Sequence, residues 1–314
     1  MTITPDDIAS AAARIAPQVR ETPLWRLPST ALGVSADAPP FEAWLKLEQL
    51  QVSGSFKARG MFNRLLANTI PAAGVIAASG GNAGIATALA ARALGVRAEI
   101  YVPAVISASK RERLAALGAT VVIAGEVYAD ALAACEARQR ETGALTTHAY
   151  DQSEVVAGAG TLAREIEAQA GVPDIVLVSV GGGGLIGGIA AWFAGRSRVI
   201  ALEPERAPTL HAARAAGAPV DVAVSGIAAD SLGARRIGAI AWGIAQRHVA
   251  GCELLGDDAI LEAQRFMWKE LKLAVEPAAA LPLAALRSGI VRPAAGETLC
   301  LILCGANFDP ASLG

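Results

Sequence analysis

Ile175-Val176-Leu177-Val178-Ser179-Val180-Gly181-Gly182-Gly183-Gly184-Leu185-Ile186-Gly187-Gly188 opens as an unbroken apolar run, breaks into four glycines and resumes as an apolar stretch spaced by glycine. An uninterrupted apolar run suits a strand of a parallel sheet covered on both faces. Four consecutive glycines pack poorly, so the turn has another use: its bare N–H groups, followed by a helix start, form a nest for a phosphate. The same residues fit a second pattern. Gly182, Gly184 and Gly187 read as G-x-G-x-x-G, and Glu203 ends the next apolar run, as a dinucleotide site requires. Either way a phosphate-bearing ligand is expected here.

Outward from this turn, short β-rich runs alternate with helical patterns. The expected strands are Trp44 to Leu47, Val75 to Ala78, Ala98 to Val102, Thr120 to Ala124, Ile175 to Val180, Val199 to Leu202 and Leu299 to Leu303. Alternation of this kind implies right-handed βαβ crossovers and an α/β class. Strands between residues 75 and 124 predict a small sheet, and those from 175 onward a larger one. Thr4-Pro5-Asp6-Asp7 supplies a cap, a first-turn proline and first-turn acids, and Ile8, Ala12, Ile15 and Val19 follow at helical spacing.

At 314 residues the chain exceeds one typical core, so two lobes with a cleft between them are expected. Hydrophobic residues make up 53% against 18% charged, which excludes a disordered chain. A net charge of -2 gives no footprint for nucleic acid or an anionic membrane, leaving a small molecule as partner. The amino terminus, Met1 to Asp7, has neither a basic nor an apolar leader segment, and Gly181 to Ala194 is too short and glycine-rich to span a bilayer; a cytoplasmic location is expected. Cys135, Cys252, Cys300 and Cys304 are scattered and histidines number three, which argues against a disulfide framework or a zinc site.

Three further segments carry chemistry. In Ser53-Gly54-Ser55-Phe56-Lys57-Ala58-Arg59-Gly60, small residues admit a ligand and Lys57 stands at a helix start. The helix dipole and burial there both lower an amine's pKa and favour a nucleophile. Ala78-Ser79-Gly80-Gly81-Asn82-Ala83-Gly84 turns a strand into a helix and directs several N–H groups outward, an arrangement that holds a carboxylate. Cys304 ends the terminal strand, where a neutral thiol can face a ligand's ring nitrogen.

Together, and in this order, these segments resemble the fold type II pyridoxal-5′-phosphate (PLP) enzymes, and most closely the serine/threonine dehydratases, over nearly the whole chain. Ser53 to Gly60 is similar to that family's Ser-Gly-Ser-Phe-Lys-x-Arg-Gly motif, which makes Lys57 the Schiff-base lysine and sets Phe56 against the cofactor ring. Ser79 to Gly84 is similar to its Ser-x-Gly-Asn loop: the resemblance gives Asn82 the cofactor's phenolic oxygen, and Ser79, Gly80 and Gly81, with Asn82, the substrate carboxylate. Gly181, Gly182, Gly183 and Gly184 match the family's phosphate loop, which displaces the dinucleotide reading, and Cys304 falls beside the pyridine nitrogen. Cys304 with Gly305-x-Asn307, Asn82-Ala83-Gly84 and Val275-Glu276-Pro277-Ala278 resembles the mammalian-type serine dehydratases. Glu203, Ala207, Leu232 and Ala234 correspond to that group's monovalent-cation site, for K+ or Na+. The implied organisation is a large PLP-phosphate-binding domain of residues 1–49 plus 150–314, a small domain of 50–149, and a homodimer.

The implied activity is β-elimination of water from L-serine or L-threonine, giving a 2-oxo acid and ammonia, with Lys57 as general base. Three alternatives stand beside it: a dehydratase of a bulkier β-hydroxy amino acid such as 3-phenylserine or 3-hydroxyaspartate, a β-replacement enzyme of the cysteine synthase type, and an NAD-dependent oxidoreductase. Departures from the family pattern bear on the choice. Gly80 replaces the serine that racemases of this fold use as a second base, Thr209 stands where they have an acidic metal ligand, and Ala280 replaces a glycine. The sequence stops at Gly314, directly after the catalytic lobe, so the added regulatory domain of feedback-inhibited relatives is not expected.

Overall fold

In the computed structural model, which describes residues 2–35, 37–309 and 311, two sheets lie within a shell of helices; Met1 and Gly314 fall outside the described residues. The first helix, α1 (Pro5–Ile15), carries the expected capping box on Thr4, with Ile8, Ala11 and Ile15 buried. It ends at Ile15 because Pro17 follows, so Val19 lies beyond it. The strands β1 (Leu24–Pro28) and β2 (Glu42–Lys46) then form an antiparallel pair. Helix α2 (Lys57–Leu66) leads into the smaller unit, where β3 (Val75–Ala78), α3 (Asn82–Ala93), β4 (Ala98–Val102), α4 (Ala108–Ala116), β5 (Thr120–Ile123), α5 (Tyr128–Thr142) and β6 (Leu145–Thr146) alternate.

Helix α6 (Ser153–Ala170) returns the chain to the larger unit. There follow β7 (Ile175–Ser179), α7 (Gly184–Phe193), β8 (Arg198–Pro204), α8 (Thr209–Ala216), α9 (Ala239–His248), β9 (Val249–Leu255), α10 (Asp257–Lys269), α11 (Pro277–Arg287) and β10 (Thr298–Ile302). The large sheet has the order β1-β2-β10-β7-β8-β9 and the small one β5-β4-β3-β6, parallel throughout except for the β1–β2 pair.

All seven expected strands are present within two residues at each end. β1, β6 and β9 are additional, and their composition explains why they escape a reading by pattern. β1 is half exposed, β6 has two residues, and β9 is interrupted by Gly251, so none presents a continuous apolar run. The main core fills both faces of the large sheet, and β7 and β10 at its centre are almost wholly buried. Parallel strands all end on one side, which brings the loops after β3, β7 and β10 to a common rim. Among the described residues no helix is long and apolar enough to cross a membrane.

Candidate active site

The chain closes a cleft at that rim, lined by Phe56, Lys57, Asn82, Tyr150, Ser179, Gly181 to Gly184, Leu185, Ser231, Leu232, Glu276, Ala278 and Cys304. Lys57 is the first residue of α2, and the turn before it is pinned to the end of β10. Phe56 N donates to Cys304 O at 3.0 Å, Ala306 N to Gly54 O at 2.9 Å, and Ser55 bridges Gly305. Gly54 has φ +77, and a Cβ there would strike Asn307, so only glycine serves. Lys57 Nζ donates to Ala149 O at 2.6 Å and lies 4.8 Å from the centre of the Phe56 ring. Burial lowers its pKa to about 8, against the opposing pull of Cys304 and Glu276. The lowering expected of this lysine is present, and desolvation is its cause.

The tetraglycine turn runs from β7 into α7 and is walled closely. A Cβ on Gly182 would enter the Tyr150 ring, one on Gly181 would sit 3.2 Å from Leu232 Cα, and one on Gly183, with φ +88, would meet Ala241 and Ile237 at 2.5 Å. Gly188 has a different reason to be glycine: its Cα lies against the Gly160 backbone, where α7 crosses α6. Ser79, Gly80 and Gly81 are half-buried in the turn from β3 to the N-terminus of α3, and a Cβ on Gly84 would fall on Ser79 O. A Cβ on Gly80 would come 2.7 Å from Ile106 Cδ1, which occupies that side of the turn.

Asn82 Nδ2 donates to both carboxylate oxygens of Glu276, at 3.0 and 3.1 Å, and its Oδ1 accepts from Asn307 Nδ2 at 2.6 Å. Glu276 caps α11 and is buried, which raises its pKa to about 7. Cys304 is buried too, and burial followed by the nearby Glu276 holds its thiol well above the usual range. It is therefore a neutral thiol. Glu276, Asn307, Tyr150, Ser179 and Ser231 are site residues that motif reading does not assign. Their signals are faint: a buried acid before a proline, an asparagine after Gly305, and the polar cluster His148-Ala149-Tyr150-Asp151 in a loop that Asp151 ties to the start of α9 through Ala239 N and Ile240 N, both at 3.0 Å.

Glu203 lies apart from the cleft, at the end of β8. It is fully buried and accepts from Leu210 N (2.7 Å), His211 N (2.8 Å) and Thr209 Oγ1 (2.8 Å), all in the first turn of α8. Thr209 Oγ1 also faces Gly181 O at 2.5 Å. One hydroxyl hydrogen cannot serve both acceptors, so the second contact calls for a cation or for a proton on Glu203, whose pKa burial raises. Ala207 and Leu232 are buried and Ala234 half-buried; Leu232 packs on Gly181. Among the described residues no three His, Cys, Asp or Glu side chains gather to hold a metal.

The residues at the rim suit pyridoxal phosphate. They offer a desolvated amine, an N–H nest at a helix start where no side chain has room, an amide and a neutral thiol. Comparison with known proteins agrees. The profile of the pyridoxal-phosphate dependent enzymes matches residues 15–305. The phenylserine dehydratase of Ralstonia pickettii is 35% identical over 97% of this chain and 93% of its own length. Among solved structures, the T.th. threonine deaminase superposes with a TM-score of 0.89 and 35% identity, covering 98% of this chain and 99% of its own. Maize serine racemase gives 0.91 and 31%, covering 100% and 96%.

The chain belongs to the pyridoxal-phosphate-dependent enzymes, in the two-sheet architecture of fold type II. Within them it falls in the serine/threonine dehydratase family. The NAD-dependent alternative is thereby excluded, and the structure gives the reason that G-x-G-x-x-G misleads: Glu203, required to meet a ribose, is turned inward to cap α8, and Gly182 and Gly184 are glycine because they pack closely against Tyr150.

Proposed function

We propose that this protein is a PLP-dependent lyase that eliminates water from L-serine or L-threonine, releasing a 2-oxo acid and ammonia. The observation that carries the reading is the convergence of Lys57, Asn82, the tetraglycine turn and Cys304 on one cleft. When bound, the cofactor supplies an electron sink for bond cleavage at the substrate Cα. Lys57 would carry it, the N–H groups of Gly181 to Gly184 would hold its phosphate, Asn82 its phenolic oxygen, and Cys304 would face its ring nitrogen with Phe56 alongside.

The half-buried turn of Ser79, Gly80 and Gly81, with Asn82 at the start of α3, receives the substrate carboxylate at a helix N-terminus. An amine titrating near 8 is suited to take the Cα proton near neutral pH, with Ala149 O steadying it. The neutral thiol of Cys304 cannot charge a ring nitrogen, which favours prompt loss of the β-hydroxyl. Gly80 supplies no base on the opposite face, and Ile106 fills the place where one would stand. That supports elimination over racemisation despite the likeness to a racemase.

A bulkier substrate such as 3-phenylserine is the second reading, favoured by the Ralstonia relative and by the Tyr150 ring on the cleft wall. The division into a small lobe of residues 50–149 and a large lobe, a homodimeric assembly, a cytoplasmic location, and K+ or Na+ held by Glu203 with carbonyls of Ala207, Leu232 and Ala234 belong to the same proposal. The test is release of 2-oxo acid from L-serine, L-threonine, D-serine and 3-phenylserine, with Lys57→Ala alongside. Turnover of the L-isomers by the unsubstituted protein alone supports the reading. Absence of 2-oxo acid from every substrate overturns it.

A further inference from the structure

A side-chain amide presents a donor at one end and an acceptor at the other, and which end faces a ligand is set by its other neighbours. Asn82 has two such neighbours, and both act in the same sense. Glu276 offers only oxygen lone pairs, and Asn82 Nδ2 meets them at 3.0 and 3.1 Å. Asn307 offers Nδ2, which meets Asn82 Oδ1 at 2.6 Å. Reversing the Asn82 amide would set oxygen against carboxylate and nitrogen against nitrogen.

Asn307 is itself fixed. Its Oδ1 accepts from Arg113 Nη1 at 2.7 Å, and its Nδ2 also donates to Ser53 O at 3.0 Å. Arg113 Nη2 reaches Ser53 O as well, at 3.3 Å. A chain of donors thus runs from a guanidinium on α4, through Asn307 beyond β10, to Asn82 on α3, and ends on the buried carboxylate of Glu276, the residue that precedes α11. Asn82 Nδ2 carries two hydrogens, and one of them shared between the two Glu276 oxygens leaves the second for a ligand in the cleft that both residues line.

We propose that Glu276 and Asn307 are positioning residues that lock the Asn82 amide with its N–H toward the cofactor's phenolic oxygen, and that Arg113 on α4 fixes the sense of the Asn307 amide in turn. The inference rests on the proposed role of this cleft in holding pyridoxal phosphate. Lys57 and Cys304, with Asp230, are the titratable groups that bear on the Glu276 carboxyl, and the backbone N–H of Asn307 also donates to it.

The experiment compares the cofactor-loaded wild type with Asn82→Ala, Asn307→Ala, Asn307→Asp, Glu276→Gln and the double variant Asn82→Ala/Asn307→Ala. Three readouts are taken: the midpoint of the pH titration of the visible cofactor band, the cofactor dissociation constant, and the circular dichroism of each variant as a control on folding. Loss of one hydrogen bond to a charged oxygen moves such a midpoint by about one pH unit. Asn307→Ala should shift it in the direction of Asn82→Ala, and the double variant no further than Asn82→Ala alone. Asn307→Asp should exceed Asn307→Ala, because an added oxygen then faces Asn82 Oδ1. Additive shifts in the double variant overturn the proposal, as does an unmoved midpoint in Asn307→Ala and Glu276→Gln beside a shifted Asn82→Ala. A folded Asn82→Ala with the wild-type midpoint overturns it at its root while leaving cofactor binding intact. Absence of any band in the wild type removes the cofactor reading itself.

Discussion

Replacing Lys57 by methionine should change how the stability of the cofactor-free protein depends on pH. The amine's pKa falls from 10.5 in the open chain to about 8 in the fold. Between those values the unfolded chain holds a proton that the folded chain has released, so folding stability rises with pH through that window. Below pH 8 both states are protonated and the full cost of the buried ammonium applies, about 3 kcal/mol by linkage. Above 10.5 both are neutral and the cost vanishes. Methionine keeps the length and the apolar stem but cannot titrate. It also leaves Ala149 O without its 2.6 Å donor, but that costs about 1 kcal/mol and is independent of pH in this range. Guanidinium unfolding of both proteins from about pH 7.5 to 10.5, followed by tryptophan fluorescence with m-values checked for constancy, isolates the effect. The stability advantage of Lys57→Met over wild type should shrink by about 3 kcal/mol across the window. Two curves that stay parallel would refute the argument that Lys57 is held desolvated.

Three other perturbations are worth making. Gly183→Ala places a side chain at φ +88 and 2.5 Å from Ala241 and Ile237, so a loss of about 2 to 4 kcal/mol, combined with weakened cofactor retention, is expected in thermal unfolding and dialysis. Glu48→Gln removes the carboxylate that receives Arg59 at 2.6 and 3.0 Å; breaking a buried pair costs about 3 to 5 kcal/mol, read as a lowered denaturation midpoint. The raised pKa and burial of Cys304 predict that the native protein resists iodoacetamide at that residue at about pH 8, as mass spectrometry of the labelled peptides would show, whereas guanidinium-unfolded chain labels readily.

What the sequence reveals follows from which constraints are local. β7 and β10 are legible because a strand covered on both faces must be apolar at every position. β1 and β9 are not, because an edge strand with one wet face tolerates Arg26 or Gly251. At the cleft the same division holds. Gly54, Gly183 and Lys57 are forced by backbone geometry or by chemistry within a few residues, and such residue types stand out in a one-dimensional reading. Glu276 and Asn307 acquire their roles only by contact with Asn82, 194 and 225 positions away; the segments Val275 to Ala278 and Gly305 to Asn307 mark these residues but not that contact. Glu203 shows the converse hazard: its position at the end of β8 satisfies a dinucleotide rule, while its hydrogen bonds assign it to α8.

A site of this kind is costly to hold, with a buried amine, a buried carboxyl and four glycines in succession, and the register of Lys57 is fixed from beneath. Two residues beyond it, Arg59 pairs with Glu48 and, at 2.9 Å, with Glu165, while Lys46 joins Glu165 at 2.5 Å and reaches Thr22 O and Gln169 Oε1. Two cations and two carboxylates balance, and their remaining lone pairs and protons meet Thr22, Thr161 and Gln51. Helix α2 touches α6 through bare backbone just here: a Cβ on Gly60 would come 2.9 Å from Val155 O, and one on Gly158 would meet Arg59 O at 2.5 Å. Sliding α2 by one residue would pull Arg59 away from both Glu48 and Glu165, leave the buried Glu48 without its cation, and drive side chains into that contact. Buried ion pairs are poor contributors to net stability but effective in penalising alternatives. The Arg of the Ser-Gly-Ser-Phe-Lys-x-Arg-Gly segment thereby serves Lys57 without approaching the cleft, by making one register of the helix far more stable than its neighbours.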